Sequence, residues 1–154
     1  MRISNKSFIF FVLFCITSFS CNNNRTSVKK EKCLLEYLTE INAIQNGGEA
    51  TYLIVPEYTC NSCLETMCLF FNEKETKTVF ILVGTNTYDT TFFSNKYKNL
   101  KVTLDKNSLY ENKKFKLIYE QEMVCFKLRD NKIHDYLLIN STNIKDVLRK
   151  LNPE

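Results

Sequence analysis

Two continuous apolar runs of six residues constrain the fold of this chain more than any other feature. They are ATYLIV at 50–55, between Gly48 and Pro56, and TVFILV at 78–83, which is closed by Gly84. Apolar runs without polar alternation are typical of strands that are buried on both faces, as in parallel sheets. The sequence therefore predicts two central strands.

The segment between these runs has the period of an amphipathic helix. From Cys60 to Phe71 the apolar residues fall on one stripe and the polar residues on the other side. A strand, a helix and a second strand in this order predict parallel pairing. Cys60 opens the predicted helix, and Cys63 lies one turn further along.

The flanking segments predict further elements around this unit. An amphipathic helix stopped by Asn46-Gly47-Gly48 precedes it, and a final helix follows, with Ser141 or Thr142 as its N-cap. The other predicted elements are the first helix over 31–45, a short helix over 89–97, a strand over 100–104, hairpin strands over 122–128 and 132–139, and a last helix with apolar residues from Ile144 to Leu151.

The first twenty residues differ from the rest of the chain. Arg2 and Lys6 mark a short positive region, and the apolar run at 7–19 has thirteen residues, too few to span a bilayer comfortably. We therefore predict a signal peptide at 1–20, a polar tether at 21–30 and one domain at 31–154.

The end of this leader has two interpretations. Ser20 directly before Cys21, followed by a polar stretch, resembles the lipobox of bacterial lipoproteins, in which the new N-terminal cysteine is acylated; Ser18 stands where those proteins usually have Leu. Ser18 and Ser20 also satisfy the small-x-small rule of ordinary signal peptidase. We expect a periplasm-facing protein of the cell envelope, anchored to the membrane by lipid if Cys21 is acylated.

Cysteine is abundant in this chain. Of seven cysteines, Cys15 leaves with the signal and Cys21 is assigned to lipid, so five remain in a compartment where disulfides persist. Five is odd, so at least one thiol has no partner within the chain. The five are Cys33, Cys60, Cys63, Cys68 and Cys125; we expect Cys68 and Cys125 in the core and Cys33 as the odd thiol.

The charge distribution excludes one class of partner. The formal net charge is +4, with basic residues scattered among Asp and Glu. Nucleic-acid binding needs a clustered basic face, which this sequence lacks. No cofactor is predicted.

The stretch YLIVPEYTCNSCLETMCLFF at 52–71 resembles the strand-to-helix turn of the thioredoxin-like superfamily. With a secretory leader, the extracytoplasmic TlpA/ResA-like group is the most similar branch. The resemblance implies an α/β fold with a central mixed sheet, flanking helices, and a C-terminal hairpin followed by a helix. It also implies disulfide exchange with protein thiols and disulfides, with Cys60 and Cys63 as catalytic residues.

The spacing of the two cysteines suits this chemistry. The first sulfur lies among the free backbone N–H groups at the positive end of the helix dipole, which stabilise a thiolate and lower its pKa. Cys60 is then the attacking thiolate, and Cys63 is the buried thiol that resolves the mixed disulfide. Asn61 and Ser62, between them, are expected to tune the reduction potential.

The sequence departs from the family at the loop before the hairpin. Thioredoxin-like oxidoreductases usually carry a cis-proline there, but the only prolines are Pro56 and Pro153. The equivalent place is near Glu122 or Met123, and a cis bond without proline costs about 3 kcal/mol, so we predict a trans peptide. Tyr58 and Thr59 stand where the family often has tryptophan before the motif.

Two other functions remain open at this stage. The Cys60–Cys63 pair is also compatible with a static disulfide brace in a non-catalytic domain, which is kept as the alternative. A copper or zinc chaperone would use Cys60, Cys63 and Cys68 with Cys125 or His134, although structural zinc sites normally show a second close cysteine pair. His134 is expected to face solvent, and Glu57 is a candidate for proton transfer.

Overall fold

The computed structural model describes residues 26–45, 47–74, 77–84, 93 and 95–152. The predicted signal at 1–20 and Cys21 lie outside the described residues. So does most of the short helix predicted over 89–97; of its residues, 93, 95 and 96 are described and helical, and 97 is described but lies outside the helix. Within the described ranges, no helix combines the length and apolar character that crossing a bilayer requires.

The order of elements follows the predicted alternation of strands and helices. The described elements are α1 at 26–40, β1 at Glu49–Val55, α2 at Asn61–Asn72, β2 at Thr78–Val83, β3 at Lys101–Asp105, β4 at Met123–Arg129, β5 at Lys132–Ile139 and α3 at Ile144–Leu151. Two short 3₁₀ turns, Leu109–Glu111 and Lys113–Phe115, lie between β3 and β4.

The five strands form one mixed sheet in the order β3-β2-β1-β4-β5. β1, β2 and β3 run parallel, and β4 and β5 are antiparallel to their neighbours. Leu53, in the middle of the central strand, pairs with Phe80 on one side and with Cys125 on the other. With α2 following β1 and α3 following the hairpin, this order confirms the predicted thioredoxin-like arrangement.

The sheet separates two cores, which explains its continuous apolar strands. In β1, Tyr52 and Ile54 face the core that contains α1, whereas Leu53 and Val55 face the core that contains α2 and α3. All six residues of β2 are buried. A fully buried side chain of this size contributes about 1.5–3 kcal/mol, so both layers of helices are needed to stabilise the central strands.

Helix α1 differs from its prediction at both ends. It was expected over 31–45, but it covers 26–40, so residues 26–30, predicted as tether, are helical. Lys30 contacts the rest of the domain, since its ammonium lies 3.6 Å from the centre of the Tyr136 ring on β5. The helix therefore packs along the sheet further toward its N-terminus than the periodicity indicated.

The end of α1 is set by Asn42 rather than by the glycines that follow. Asn42 has a φ of 53°, its N–H donates to the Thr39 carbonyl, and the Ala43 N–H donates to the Leu38 carbonyl at 2.8 Å. This is the Schellman motif, in which a left-handed residue satisfies the last helical carbonyls. Asparagine tolerates that conformation, so the helix stops five residues before the predicted end at residue 45.

The segment between β3 and β4 is more than a polar insert. It buries three large apolar side chains, Tyr110, Phe115 and Ile118, in the core shared with α1. The ring of Tyr37 on α1 lies 5.5 Å from that of Tyr110 and 5.3 Å from that of Phe115. The segment thus closes one face of the sheet together with α1.

Asp105, at the end of β3, holds this arrangement together. Its carboxylate is 1% exposed and accepts hydrogen bonds from the Tyr37 hydroxyl at 3.1 Å and from the N–H groups of Leu109 and Tyr110 at 2.9 and 2.8 Å. A buried carboxylate is tolerated only when it is bonded in this way. Burial raises the pKa of Tyr37, and the charge of Asp105 and the hydrogen bond to it raise this pKa further.

The C-terminal hairpin is confirmed, but the cap of α3 is not. Asp130 and Asn131 both have positive φ, as a two-residue type I′ turn requires. The predicted N-cap Ser141 or Thr142 is wrong, because α3 begins at Ile144 with Asn143 before it. The side-chain oxygen of Asn140 accepts the N–H groups of residues 142 and 143 instead, so an earlier amide organises the turn.

Candidate active site

Parallel pairing places the Cys-x-x-Cys turn at the edge of the sheet where β1 ends. The chain leaves β1 at Val55 and makes a turn closed by the Thr59 N–H and the Pro56 carbonyl, 3.1 Å apart. Cys60 directly precedes α2, and its carbonyl accepts the N–H of Leu64 at 3.0 Å. Cys60 therefore stands at the start of the helix, in the N-cap position, as the sequence predicted.

The two sulfurs lie in contrasting environments. Cys60 is exposed to solvent, whereas Cys63 is 3% exposed and belongs to the core beneath α2. Both are thiols in this structure. The Cys63 side chain is close enough to hydrogen-bond the Cys60 sulfur, and that contact contributes to the acidity of Cys60. One sulfur is thus open to a partner, with the other sheltered next to it.

The pKa values of the two thiols shift in opposite directions, as the difference in their exposure would lead one to expect. The pKa of Cys60 is lowered to about 7, first by a hydrogen bond from the Ser62 side chain and then by the side chain and N–H of Cys63. The pKa of Cys63 is raised, first by burial and then by its neighbour Cys60. Near neutral pH, Cys60 is therefore partly thiolate while Cys63 keeps its proton.

The source of this acidity differs from the sequence-based expectation. The helix amides were expected to be the main stabilisers of the thiolate, but no backbone N–H has the geometry of a capping hydrogen bond to the Cys60 side chain. The Ser62 hydroxyl, 3.0 Å from the Cys60 sulfur, makes the largest contribution, and the backbone amides of Cys63 and Ser62 make smaller ones. Periodicity places Ser62 in the first helical turn but does not reveal this contact.

The loop opposite the cysteine pair lacks a cis bond, as predicted. Across the described ranges every peptide bond is trans, including those around Glu122 and Met123. Met123 is 1% exposed and packs in the same core as Cys63. Glu122 is exposed, and the side-chain N–H₂ group of Asn140 donates to both of its carboxylate oxygens at 3.1 Å. A buried Met and a tethered Glu thus occupy the region where the family has proline.

Tyr58 stands out on the surface of the turn. It lies two residues before Cys60, and 91% of its side chain is exposed. Glu57, considered for proton transfer, packs its carboxyl carbon against Gly84 at the end of β2; a Cβ on Gly84 would lie 3.2 Å from that carbon. Its part in catalysis stays a prediction.

The other described cysteines are buried. Cys68 and Cys125 lie in the core with Cys63, as expected, and burial raises the pKa of each thiol to about 12. Cys33, which was expected to be the odd thiol, is 7% exposed and packs in the opposite core. Cys60 is therefore the one exposed thiol among the five cysteines of the described chain.

The structure does not assemble the metal site considered from the sequence. His134 is exposed, as expected, and it lines an open cleft of about 400 Å³ with Glu49 and Arg129. That cleft lies at the start of β1 and Cys60 follows its end; the seven residues of β1 separate them by about 20 Å. No three Cys, His, Asp or Glu side chains converge on a common metal position within the described ranges.

The comparisons with known proteins give structural similarity only. No protein-family model matches the chain, and no curated protein matches its sequence. One similar crystal structure is that of StoA from Bacillus subtilis, with 13% identity and a TM-score of 0.44; the match covers 70% of this chain and 85% of StoA. Another is that of a peroxiredoxin-like protein from Aquifex aeolicus, with 15% identity and a TM-score of 0.42; the match covers 70% of this chain and 74% of that protein. The fold assignment follows from the strand order and register of this chain itself.

Proposed function

We propose that this protein is a thiol-disulfide oxidoreductase that exchanges disulfides with protein partners through Cys60 and Cys63. The asymmetry of the pair carries the proposal: an exposed thiol with a pKa of about 7 lies beside a buried thiol whose pKa is raised. A thiolate with a pKa near ambient pH is the most effective attacking group in thiol-disulfide exchange. A static brace needs no such division of acidity and exposure.

The reaction proceeds in two exchanges. The Cys60 thiolate attacks one sulfur of a partner disulfide; that S–S bond breaks, and the leaving sulfur departs as a thiolate and takes up a proton. Cys63 then loses its proton and attacks the Cys60 sulfur of the mixed disulfide, which releases the second partner thiol. The partner gains two electrons and two protons, and Cys60 and Cys63 become a disulfide. The reverse sequence oxidises a partner dithiol.

Single-cysteine variants test this division of roles. In an insulin-type turnover assay, Cys60→Ser should abolish activity because no exposed thiolate remains to attack. Cys63→Ser should also lose turnover but should accumulate a mixed disulfide between Cys60 and the substrate, visible by non-reducing electrophoresis and mass spectrometry. Cys68→Ala, which alters a buried thiol on the same helix, is the matched control and should keep activity.

The result that would end the proposal is equally specific. Turnover that is unchanged in Cys60→Ser would show that the pair does not carry the reaction. A mixed disulfide that forms on Cys63 in that variant would reverse the assigned roles.

We also propose that the protein belongs to the extracytoplasmic TlpA/ResA-like branch and works at the bacterial cell envelope, anchored by lipid on Cys21. The support is the short positive region, the apolar run at 7–19 and Ser20 directly before Cys21. Mass spectrometry of the mature protein from membranes should find an N-terminal Cys21 that carries acyl chains. An unmodified N-terminus after Ser20 would leave a secreted protein without the anchor.

A further inference from the structure

We propose that the cleft at the start of β1 binds a phosphate group. The cleft has a volume of about 400 Å³ and is lined by residues from the start of β1, the end of β4 and the first half of β5, together with Lys77 before β2. The seven residues of β1 separate it from the cysteine turn by about 20 Å, so it is a second site and does not depend on the proposed disulfide exchange.

The charges of the cleft favour an anion. Among the described residues that line it, three are cationic and one is acidic: Lys77, Lys127, Arg129 and Glu49. The Glu49 carboxylate is already paired, because it accepts the Nε–H of Arg129 at 2.6 Å and also contacts the Nη2 of that guanidinium. Asp135 pairs with Lys127 across the hairpin but does not line the cleft. The lining residues therefore carry a formal charge of +2, which a phosphate group with a charge of about −1.5 to −2 matches.

A β-bulge in the hairpin turns His134 toward the cleft. Lys127 pairs with Asp135 and Leu128 pairs with Ile133, so His134 is an extra residue on β5. In a regular ladder His134 would lie opposite Leu128 and share its face, which is the core that contains α1. The bulge gives that place to Ile133, which packs against the same core, and leaves His134 exposed at the cleft. Bulges that re-aim a side chain occur often beside functional sites.

The donors of the cleft suit a tetrahedral ligand. They come from three places along the sheet: Lys77 directly precedes β2, Lys127 and Arg129 share a face of β4, and His134 lies on β5. The contacts with Glu49 use the Nε and Nη2 atoms of Arg129, and its guanidinium has five N–H donors, so donors remain for a ligand. Phosphate offers three acceptor oxygens in different directions, whereas a carboxylate offers two in one plane. The arrangement therefore fits phosphate better than a carboxylate.

Titration of the isotope-labelled protein with inorganic phosphate, followed by NMR near neutral pH at constant ionic strength, tests the site. Phosphate should shift the amide signals around Lys127, Arg129 and His134 in a saturable way, and acetate should shift them less. Lys127→Gln and Arg129→Gln should each weaken phosphate binding about threefold to tenfold, as expected for one charged donor at a partly exposed site. Thermal unfolding of each variant verifies the fold.

Two further variants separate the cleft from the net charge of the protein. Glu49→Gln keeps an acceptor oxygen for Arg129 but removes the negative charge, so it should strengthen phosphate binding about twofold to fivefold. Lys106→Gln is the matched control, because Lys106 is exposed and follows the end of β3, at the opposite end of the sheet. It should leave phosphate binding unchanged.

Vesicles distinguish a free phosphate from a lipid headgroup. Saturable shifts with inorganic phosphate would support the proposal with a soluble ligand. Binding to phosphatidylglycerol vesicles that Lys127→Gln weakens more than Lys106→Gln does would support it with a lipid headgroup. Cleft signals that respond to neither probe would overturn the proposal, as would equal shifts with acetate or equal weakening by Lys106→Gln. Turnover that depends on Cys60 would stand in each of these cases.

Discussion

Replacement of Asp105 by alanine should destabilise the domain more than any other single change to a charged residue in its described part. The substitution removes the acceptor for three donors that are buried around it: the Tyr37 hydroxyl and the N–H groups of Leu109 and Tyr110. Each buried donor left unpaired costs about 1–3 kcal/mol, and the relief of a buried charge offsets part of that sum. We therefore expect Asp105→Ala to lower the free energy of unfolding by about 3–5 kcal/mol.

The asparagine variant refines the same argument. In Asp105→Asn, the carbonyl oxygen is able to replace the carboxylate oxygen that accepts from Tyr37 and Tyr110, but the amide N–H₂ then faces the N–H of Leu109. One bond is lost and two donors oppose each other, so the cost should be intermediate, about 1–3 kcal/mol. Tyr37→Phe should lower the free energy of unfolding less in the Asp105→Ala background than in the wild type. In that background the Tyr37 hydroxyl has already lost its acceptor, so its removal breaks no hydrogen bond to residue 105.

Urea denaturation measures these differences, provided that the slope of the transition stays constant among variants. Asp146→Asn is the control, since its side chain is 70% exposed and pairs with the exposed Arg149, so the free energy of unfolding should change by no more than about 0.5 kcal/mol. A loss below about 1 kcal/mol for Asp105→Ala would refute the reasoning. It would show that α1 and the segment after β3 are held by apolar packing alone.

Three further predictions follow from single features. Thr59 Oγ1 is buried and has no hydrogen-bond partner within the described ranges, so Thr59→Val should raise stability by about 1 kcal/mol, seen as a higher Tm, whereas Thr59→Ser should not. Gly84→Ala should cost about 1–3 kcal/mol in urea denaturation, because φ is +119° and the new Cβ meets Glu57; a cost no larger than that of Gly48→Ala, which meets nothing within 4 Å, would contradict the clash. Alkylation of Cys60 by iodoacetamide should rise with pH and reach half its maximum at about 7, since the thiolate reacts; a midpoint near 8.5 would contradict the lowered pKa.

The sequence predicts best the elements whose apolar residues form either a continuous run or a regular helical stripe. The runs at 50–55 and 78–83 and the helical stripe after Cys60 became β1, β2 and α2 with bounds that differ by at most one residue at each end. Burial on both faces leaves an unbroken apolar pattern that depends little on the rest of the chain. Parallel pairing then fixed the position of the cysteine turn at the end of the sheet.

Features that depend on one side chain or on distant contacts were not predicted. Asn42 ends α1 through a left-handed conformation, which competes with the stronger glycine signal at 47–48. Tyr110 and Phe115 are buried from short 3₁₀ turns, too brief to show a period, and they become core only because Tyr37 meets them from α1.

The acidity of Cys60 illustrates the same limit at the site. The position of the sulfur at the start of α2 follows from the sequence, and the direction of its pKa change was predicted from the helix amides. The leading contribution comes instead from the Ser62 hydroxyl, which lies 3.0 Å from the Cys60 sulfur in the folded helix. Spacing alone distinguishes neither the strength nor the geometry of such contacts.

The most direct test of the central claim is a redox titration of the domain in glutathione buffers, read by mass spectrometry after alkylation. The account predicts that one disulfide, between Cys60 and Cys63, opens and closes reversibly as a two-electron couple, and that Cys60 is alkylated first when the pair is reduced. A Cys60–Cys63 bond with a potential below about −300 mV, which physiological reductants do not open, would contradict the account and indicate a static brace.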